Sequence, residues 1–529
     1  MKEKDFNLLY MPWILVLNSR GETEEVSLLT VLERAHEFRG LAGELPTQDV
    51  AILRLLLATL HATFTRADVQ GNRKPIENAS DALERWQSLW ELNRFPIEPV
   101  KTRLCHYEER FFLFHPERPF YQIAGLDKGT NYSAAKLLGN LSESGNKVRL
   151  FPVRTGDAKR NISYAEAARW LLYLNVFDDT SSKPSIRGQK MPSPGAGWLG
   201  KLGLVYAKGA NLFETLMLNF VLLNDNDEPW ISGYACWELD EPRTEERVEI
   251  VLPQDQLSLL TLQSRRLLLQ REGNSVVGYR LLGGDFFPRE NAFTEQMTLW
   301  RKSDREDVYL PKRHDPSKQL WRDFPSFLAD EDGSRKPGIV RWLSRLKEQG
   351  RINNMVTLQI ASVKYGDKDF FVTDVFQDSL TINANILSQL GKRWVTQITR
   401  LLAITEDCVK QLFFLAADLA KASGDSDSLT HKAGEGISNA AKAEAYFRLD
   451  MPFRRWLADI DPTQSNMDEA EKDWKETVKR VLLQLGEELT QQSGEKGVVG
   501  RWVKEKLYTA PGALIKFRAN IKRILEKGG

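Results

Sequence analysis

The residues suited to bond-making chemistry in this 529-residue chain are few and scattered. Of its six histidines, His36, His61, His106, His115, His314 and His431, only His314 is followed by an aspartate. The His314-Asp315 pair is the dipeptide used by metal-dependent phosphohydrolases. Such a site needs further His and Asp ligands converging on the metal, and Pro316 disfavours the helical turn that would present them. Cys105-His106 is adjacent in sequence, which does not set a nucleophile against its base. Cys105, Cys236 and Cys408 are far apart and odd in number. That pattern fits neither a disulfide framework nor a CxxC metal knuckle, and suits a reducing cytoplasm. The chain contains no GxxxxGK followed by Ser or Thr, no GxSxG and no HExxH, so nucleotide-loop, serine-hydrolase and zinc-protease chemistries lack their signatures. An HD-type phosphohydrolase is the one catalytic alternative left, and no cofactor or metal is expected.

Contact with polyanions has more to recommend it. Thr180 through Phe213 contains no Asp or Glu, yet carries Lys183, Arg187, Lys190, Lys201 and Lys208 with six glycines and three prolines. Glycine lets a backbone approach closely, and lysine and arginine donate to phosphate; the same composition also describes an ordinary surface loop. Three further patches combine basic with aromatic or apolar residues. LFPVRTGDAKRN (150–161) offers Phe151 with Arg154, Lys159 and Arg160. QSRRLLLQR (263–271) sets Arg265 and Arg266 beside a strand-like run, so that one guanidinium is expected to face solvent or a partner. SVKYGDKD (362–369) places Lys364, Tyr365 and Lys368 on a projecting turn. Aromatic plus basic side chains stack bases and hold the nucleic-acid backbone. The whole chain is nearly neutral, 73 Lys and Arg against 72 Asp and Glu, so any anion-binding surface must be local. From Lys496 onward, nine basic residues face only Glu505 and Glu526.

These patches need a scaffold. A strand is expected over 7–17, and a nearly all-apolar helix over Gln48–Phe64 with Thr47 as its N-cap. Ser163 should cap a helix over Tyr164–Asn175, and another buried helix should run from Leu212 to Leu223. Residues 355–376 predict two strands joined by a Tyr-Gly-Asp turn. Past 384 the pattern changes. Trp394, Ile398, Leu401, Thr405, Cys408, Leu412, Leu415 and Leu419 alternate spacings of four and three, the seam of a long packed helix, and Trp474, Val478, Val481 and Leu485 repeat it. With helices around Ala440–Ile460 and from about Val498 to the end, four helices can cover one another, linked by a flexible 423–436. The fold class is therefore α+β: a mixed α/β domain over 1–383 and a four-helix bundle over 384–529. No run approaches the ~20 apolar residues of a membrane helix, and the N-terminus does not read as a signal peptide.

Several ordered blocks resemble a known family. FNLLYMPWILV, QDVAILRLLLATLHATF, FFLFHPERPFYQI, LFPVRTGD with SYAEAARWLLYLN, GWLGKLGLVYAKGANLFETLMLN, LLTLQSRRLLL and YLPKRHDPSKQLWRDF look like the CasA family, the large subunits of Cascade, the type I-E CRISPR surveillance complex. The resemblance implies a noncatalytic antiviral subunit, one copy per complex and monomeric in isolation. It would dock on the 5′ handle of a guide RNA, read a short motif beside the target in double-stranded DNA from the minor groove, start strand separation and recruit a separate helicase-nuclease. Protein then reads the adjacent motif while base pairing reads the target. Carried over by position, the guide-contacting loop corresponds to Leu150–Arg160, with Phe151 at its characteristic aromatic. The motif-approaching loop falls on Thr180, Ser181, Ser182 and Lys183, where hydroxyls replace glycines. The minor-groove lysine falls near Arg265 and Arg266. The wedge hairpin aligns with Lys364, Tyr365, Gly366, Asp367 and Lys368, without a glutamine at its tip. His314-Asp315 lies inside the block YLPKRHDPSKQLW and, under this resemblance, reads as part of a structural turn. The remaining alternative is a scaffold whose bundle binds other proteins through its basic last helix.

Overall fold

The computed structural model describes residues 4–143, 148–180, 195–244, 250–329, 335–352, 355–424, 431–503 and 505–527. The chain divides into two compact units: 1–316 with 330–343 and 357–379, and 380–529 with 317–329 and 344–356. The division expected at 383/384 thus falls a few residues earlier, and two upstream segments join the C-terminal unit. Their packing explains this: Trp321 stacks on Phe453 at 4.6 Å between ring centroids, burying an aromatic that the seam pattern past 384 did not include.

The first unit is built around the helix Pro46–Phe64, which is buried on nearly every side. Its N-cap is Leu45 without a side-chain bond, and Pro46 opens the first turn. Proline fits there because its missing N–H would have no partner in the first turn; Thr47, expected as the cap, lies inside the helix. Tyr164–Phe177 packs against it, and the Ser163 hydroxyl accepts from the Glu166 N–H at 3.2 Å as the sequence predicts. The expected strand over 7–17 is two strands, Asp5–Asn7 and Ile14–Leu17, interrupted where the Asn7 side chain and carbonyl accept from the amides that follow. The helix expected over 212–223 ends at Asn219, whose side chain turns to bond Ala207 on the neighbouring strand.

Two three-stranded sheets frame the functional residues. One pairs Thr130–Ser133 with Ser275–Gly283, and that strand with Arg265–Glu272, all antiparallel. The other orders Val372–Asn383, Met355–Tyr365 and Val205–Lys208. Its long pair forms the predicted hairpin, with a turn that extends from Gly366 to Phe371.

In the second unit, the 32-residue helix Lys392–Ser423 packs against His431–Asp459, Met467–Gln492 and Ala510–Lys527. Every predicted seam residue on Lys392–Ser423 and Met467–Gln492 is buried. Trp474 donates its indole N–H to Thr405 Oγ1 at 3.0 Å, satisfying the one polar seam position. Two expectations change. Helix has already begun at His431, inside the connection expected over 423–436; the part at 425–430 lies outside the described residues. The last helix does not run from Val498: a short hairpin, Arg501–Val503 with Lys506–Tyr508, precedes it, because Gly500 at φ 74° ends the preceding turn and Pro511 starts a new one.

Candidate nucleic-acid interface

The hairpin tip is held by its own turn, with Gly366 N–H donating to Phe371 O at 2.8 Å and Asp369 N–H to Gly366 O at 3.1 Å, and also from outside. Tyr365 closes the first strand with its ring buried, and its hydroxyl donates to the Phe177 carbonyl at 2.6 Å. Gly200 must be bare here, since a Cβ would lie 2.2 Å from that hydroxyl. Beyond it, Lys368 and Asp369 take left-handed φ values of 54° and 56°. Each such non-glycine residue costs roughly 1–2 kcal/mol, so the turn needs external support. Arg313 grips the Asp369 carboxylate with both terminal nitrogens, at 2.7 and 2.8 Å. Thr180 donates its N–H to the Asp369 carbonyl at 3.0 Å and its hydroxyl to the Lys368 carbonyl at 2.8 Å.

Outward from this anchor, the side chains of Lys364, Asp367 and Lys368 are exposed. Tyr365 does not join them: the structure turns it inward, which corrects its expected place on the projecting surface. The aromatic at the tip is instead Phe370, 44% exposed. A signal for it existed. The signal is the Phe370-Phe371 doublet at the end of the turn: Phe371 packs under Gly366, where a Cβ would come within 2.6 Å of its ring, and Phe370 is left outside.

Thr180 is also where the acid-free segment begins. Ser181, Ser182 and Lys183 lie outside the described residues, but both roots of the segment are defined. Arg265 joins them. Its Nε binds Asp178 Oδ2 at 2.6 Å, and its Nη2 donates to the carbonyls of Asp179 at 3.0 Å and Gly195 at 2.8 Å. Gly197 N–H donates to the Asp178 carbonyl at 2.8 Å, so closely that a Cβ there would meet Val176 O at 2.4 Å. Lys136 reaches from Asp179 to Ser142, tying this root to the stretch that precedes the guide-type loop.

The expectation that Arg265 or Arg266 faces solvent or DNA is therefore corrected. Each is only 1% exposed, one ion-paired with Asp178 and the other with Asp285. Alternation along the strand does send them to opposite sides, but a carboxylate waits on each. A buried guanidinium is tolerated only with such partners. Lys201 sits beneath the same root; burial, then the cations Arg265, Arg289 and Arg313, pull it down to about 8.

The guide-type loop is the other exposed feature. Phe151 is 92% exposed and Leu150 91%, with Val148 and Val153 also out. Arg160 is exposed. Arg154 is ion-paired with Glu166 at 2.6 Å and Lys159 with Glu143 at 2.7 Å, so these two brace the loop as well as charge it. Arg149 donates to Leu141 O at 2.6 Å and Val372 O at 3.3 Å, linking the loop to the second strand of the hairpin. Three of the four sequence patches thus meet around one framework, and the Arg265–Arg266 patch forms its interior.

The catalytic alternative finds no such convergence. His314 is buried with Nε2 2.8 Å from Leu204 O, whereas Asp315 is exposed. Among the described residues, no group of three or more His, Cys, Asp or Glu could hold a metal ion. Among the described residues, no helix is long and apolar enough to cross a membrane.

Comparison with known proteins identifies the family and the fold. A family model for CRISPR-associated protein Cse1 matches residues 7–485. The CRISPR-associated protein CasA/Cse1 of Thermus thermophilus is 28% identical over 501 residues, spanning 90% of this chain and 91% of its own. The crystal structure of Thermobifida fusca Cse1 superposes with a TM-score of 0.82 at 29% identity, over 99% of this chain and 98% of that one. A chain of a CRISPR RNA-guided surveillance complex has the same fold, with a TM-score of 0.68 at 20% identity over 98% and 100% of the two chains.

Proposed function

Because the chain belongs to the CRISPR-associated protein Cse1 family, we propose that it is the noncatalytic large subunit of a type I-E Cascade, an RNA-guided surveillance complex acting in the cytoplasm. In this role it joins the other Cascade subunits as one copy. The loop around Phe151 docks on the 5′ handle of the guide RNA, with Arg160 and the braced Arg154 and Lys159 supplying charge. The segment beginning at Thr180, through Ser181, Ser182 and Lys183, approaches the minor groove of double-stranded DNA at the motif beside the target. The tip, with Lys364, Gly366, Asp367, Lys368 and Phe370, presses on the neighbouring base pairs and starts strand separation. An apolar ring at such a tip suits partial unstacking of a base step. Cleavage is left to a recruited helicase-nuclease.

The observation that carries this reading is the pair of hydrogen bonds from Thr180 to the carbonyls of Lys368 and Asp369, which sets the start of the basic segment against an exposed lysine and phenylalanine. The test is a titration of the assembled complex with two duplexes at two salt concentrations. One carries the motif selected from a randomised library, and the other carries it scrambled. The reading expects salt-sensitive binding, because phosphate contacts release counterions, with clear preference for the selected duplex. Equal affinity for both would refute it.

A further inference from the structure

The tip turn is braced by distant residues in addition to its own backbone hydrogen bonds. Two-residue stretches at positive φ usually carry glycine or asparagine, yet here they are Lys368 and Asp369. Beside the local bond from Asp369 N–H to Gly366 O, they are held by Arg313 and Thr180, 56 and 188 residues away. Arg313 and Asp369 are each about one-third exposed on the side chain, so the pair sits at the surface beside the tip. A bidentate fork fixes orientation as well as distance. Thr180 uses both its amide and its hydroxyl on consecutive tip carbonyls.

We propose that Arg313 and Thr180 are positioning residues that latch the hairpin tip in its left-handed turn and join it to the root of the acid-free segment. The tip and Thr180, at the root of the segment, then meet duplex DNA as one unit. The latch sets the direction of Lys368 and Phe370 before DNA arrives. Its role in strand separation rests on the Cascade reading above, whereas the latch itself does not.

Two arms of one experiment keep these apart. In the full chain, hydrogen exchange is followed on peptides covering the tip for wild type, Arg313→Ala, Thr180→Val and each combined with Lys368→Gly. Glycine accepts positive φ freely, so it should make the latch dispensable. Tip exchange is expected to rise roughly tenfold in either single variant, the factor matching release of one strained residue, and to return towards wild type with Lys368→Gly. Unchanged exchange in both single variants would overturn the latch. In the assembled complex, a fluorescent base at the first target pair reports opening. Arg313→Ala is expected to bind the selected duplex nearly as well but open it about tenfold more slowly, whereas added to Lys368→Gly it should leave the opening rate of Lys368→Gly alone unchanged. An equal slowing by Arg313→Ala in both backgrounds would overturn the role in separation. If wild-type complex ignored the motif altogether, the Cascade reading would fail while the exchange arm still decided the latch.

Discussion

Arg265 separates two accounts of the same residue. If it clamps the roots of the acid-free segment, Arg265→Ala takes the guanidinium from a carboxylate that is 2% exposed, Asp178, and removes the donor to the Asp179 and Gly195 carbonyls. Breaking one side of a buried ion pair costs about 3–5 kcal/mol. Arg265→Lys should lose nearly as much, because an ammonium cannot reproduce the fork that spans these acceptors. If instead Arg265 reads DNA, lysine should substitute well and stability should hardly change. The assay is native-state hydrogen exchange on the strand Arg265–Glu272, which reports opening free energy locally and avoids treating a two-unit chain as a single transition. The clamp predicts a loss of about 3 kcal/mol or more in both variants. Stability within roughly 0.5 kcal/mol of wild type, together with a DNA-binding salt slope shallower by about 0.9, would refute it.

Other perturbations act on separate features. Lys368→Ala should reduce the salt slope of duplex binding by about one contact, ~0.9, with thermal stability unchanged. Phe370→Ala should slow opening of the first target base pairs while leaving motif preference intact, measured with the same fluorescent base. Phe151→Ala should weaken entry of the chain into the guide-bearing complex without changing its folding, since the ring is 92% exposed. Asp49 gives a pH test: burial lifts its carboxyl from the ordinary 3.8 to about 7, against one Gly43 N–H that lowers it. Between those values the folded chain holds a proton that the unfolded chain has released, so this group's stability contribution is lost as pH rises from about 4 to 7. Asp49→Asn should therefore stabilise the first unit at pH 8, by on the order of 4 kcal/mol at most, and hardly at all near pH 4. A pH-independent difference between the two proteins would contradict this.

Much of the architecture was legible because it rests on periodicity. The alternation of four and three from Trp394 to Leu419 marked a buried seam, and Ser163 marked the start of its helix. The hairpin over 355–376 was visible as two alternating runs around a glycine. What escaped the sequence depended on partners far along the chain. Arg265 and Arg266 look exposed until Asp178 and Asp285 are brought to them. Tyr365 looks like a surface aromatic until Gly200 leaves room for its hydroxyl to reach Phe177. Arg313, within the block YLPKRHDPSKQLWRDF, carried no local sign that it grips Asp369. Phe370 could have been found through the Phe370-Phe371 doublet, in which Phe371 takes the inner place under Gly366.

The most direct measurement of the central claim is a photocrosslink from the hairpin tip. A benzophenone side chain at position 370, in the assembled complex, is irradiated with the selected duplex and with its scrambled counterpart, and the crosslinked nucleotides are mapped. The account predicts crosslinks confined to the one or two base pairs next to the motif, obtained with the selected duplex only. Crosslinks spread along both duplexes, or none to DNA at all, would contradict it.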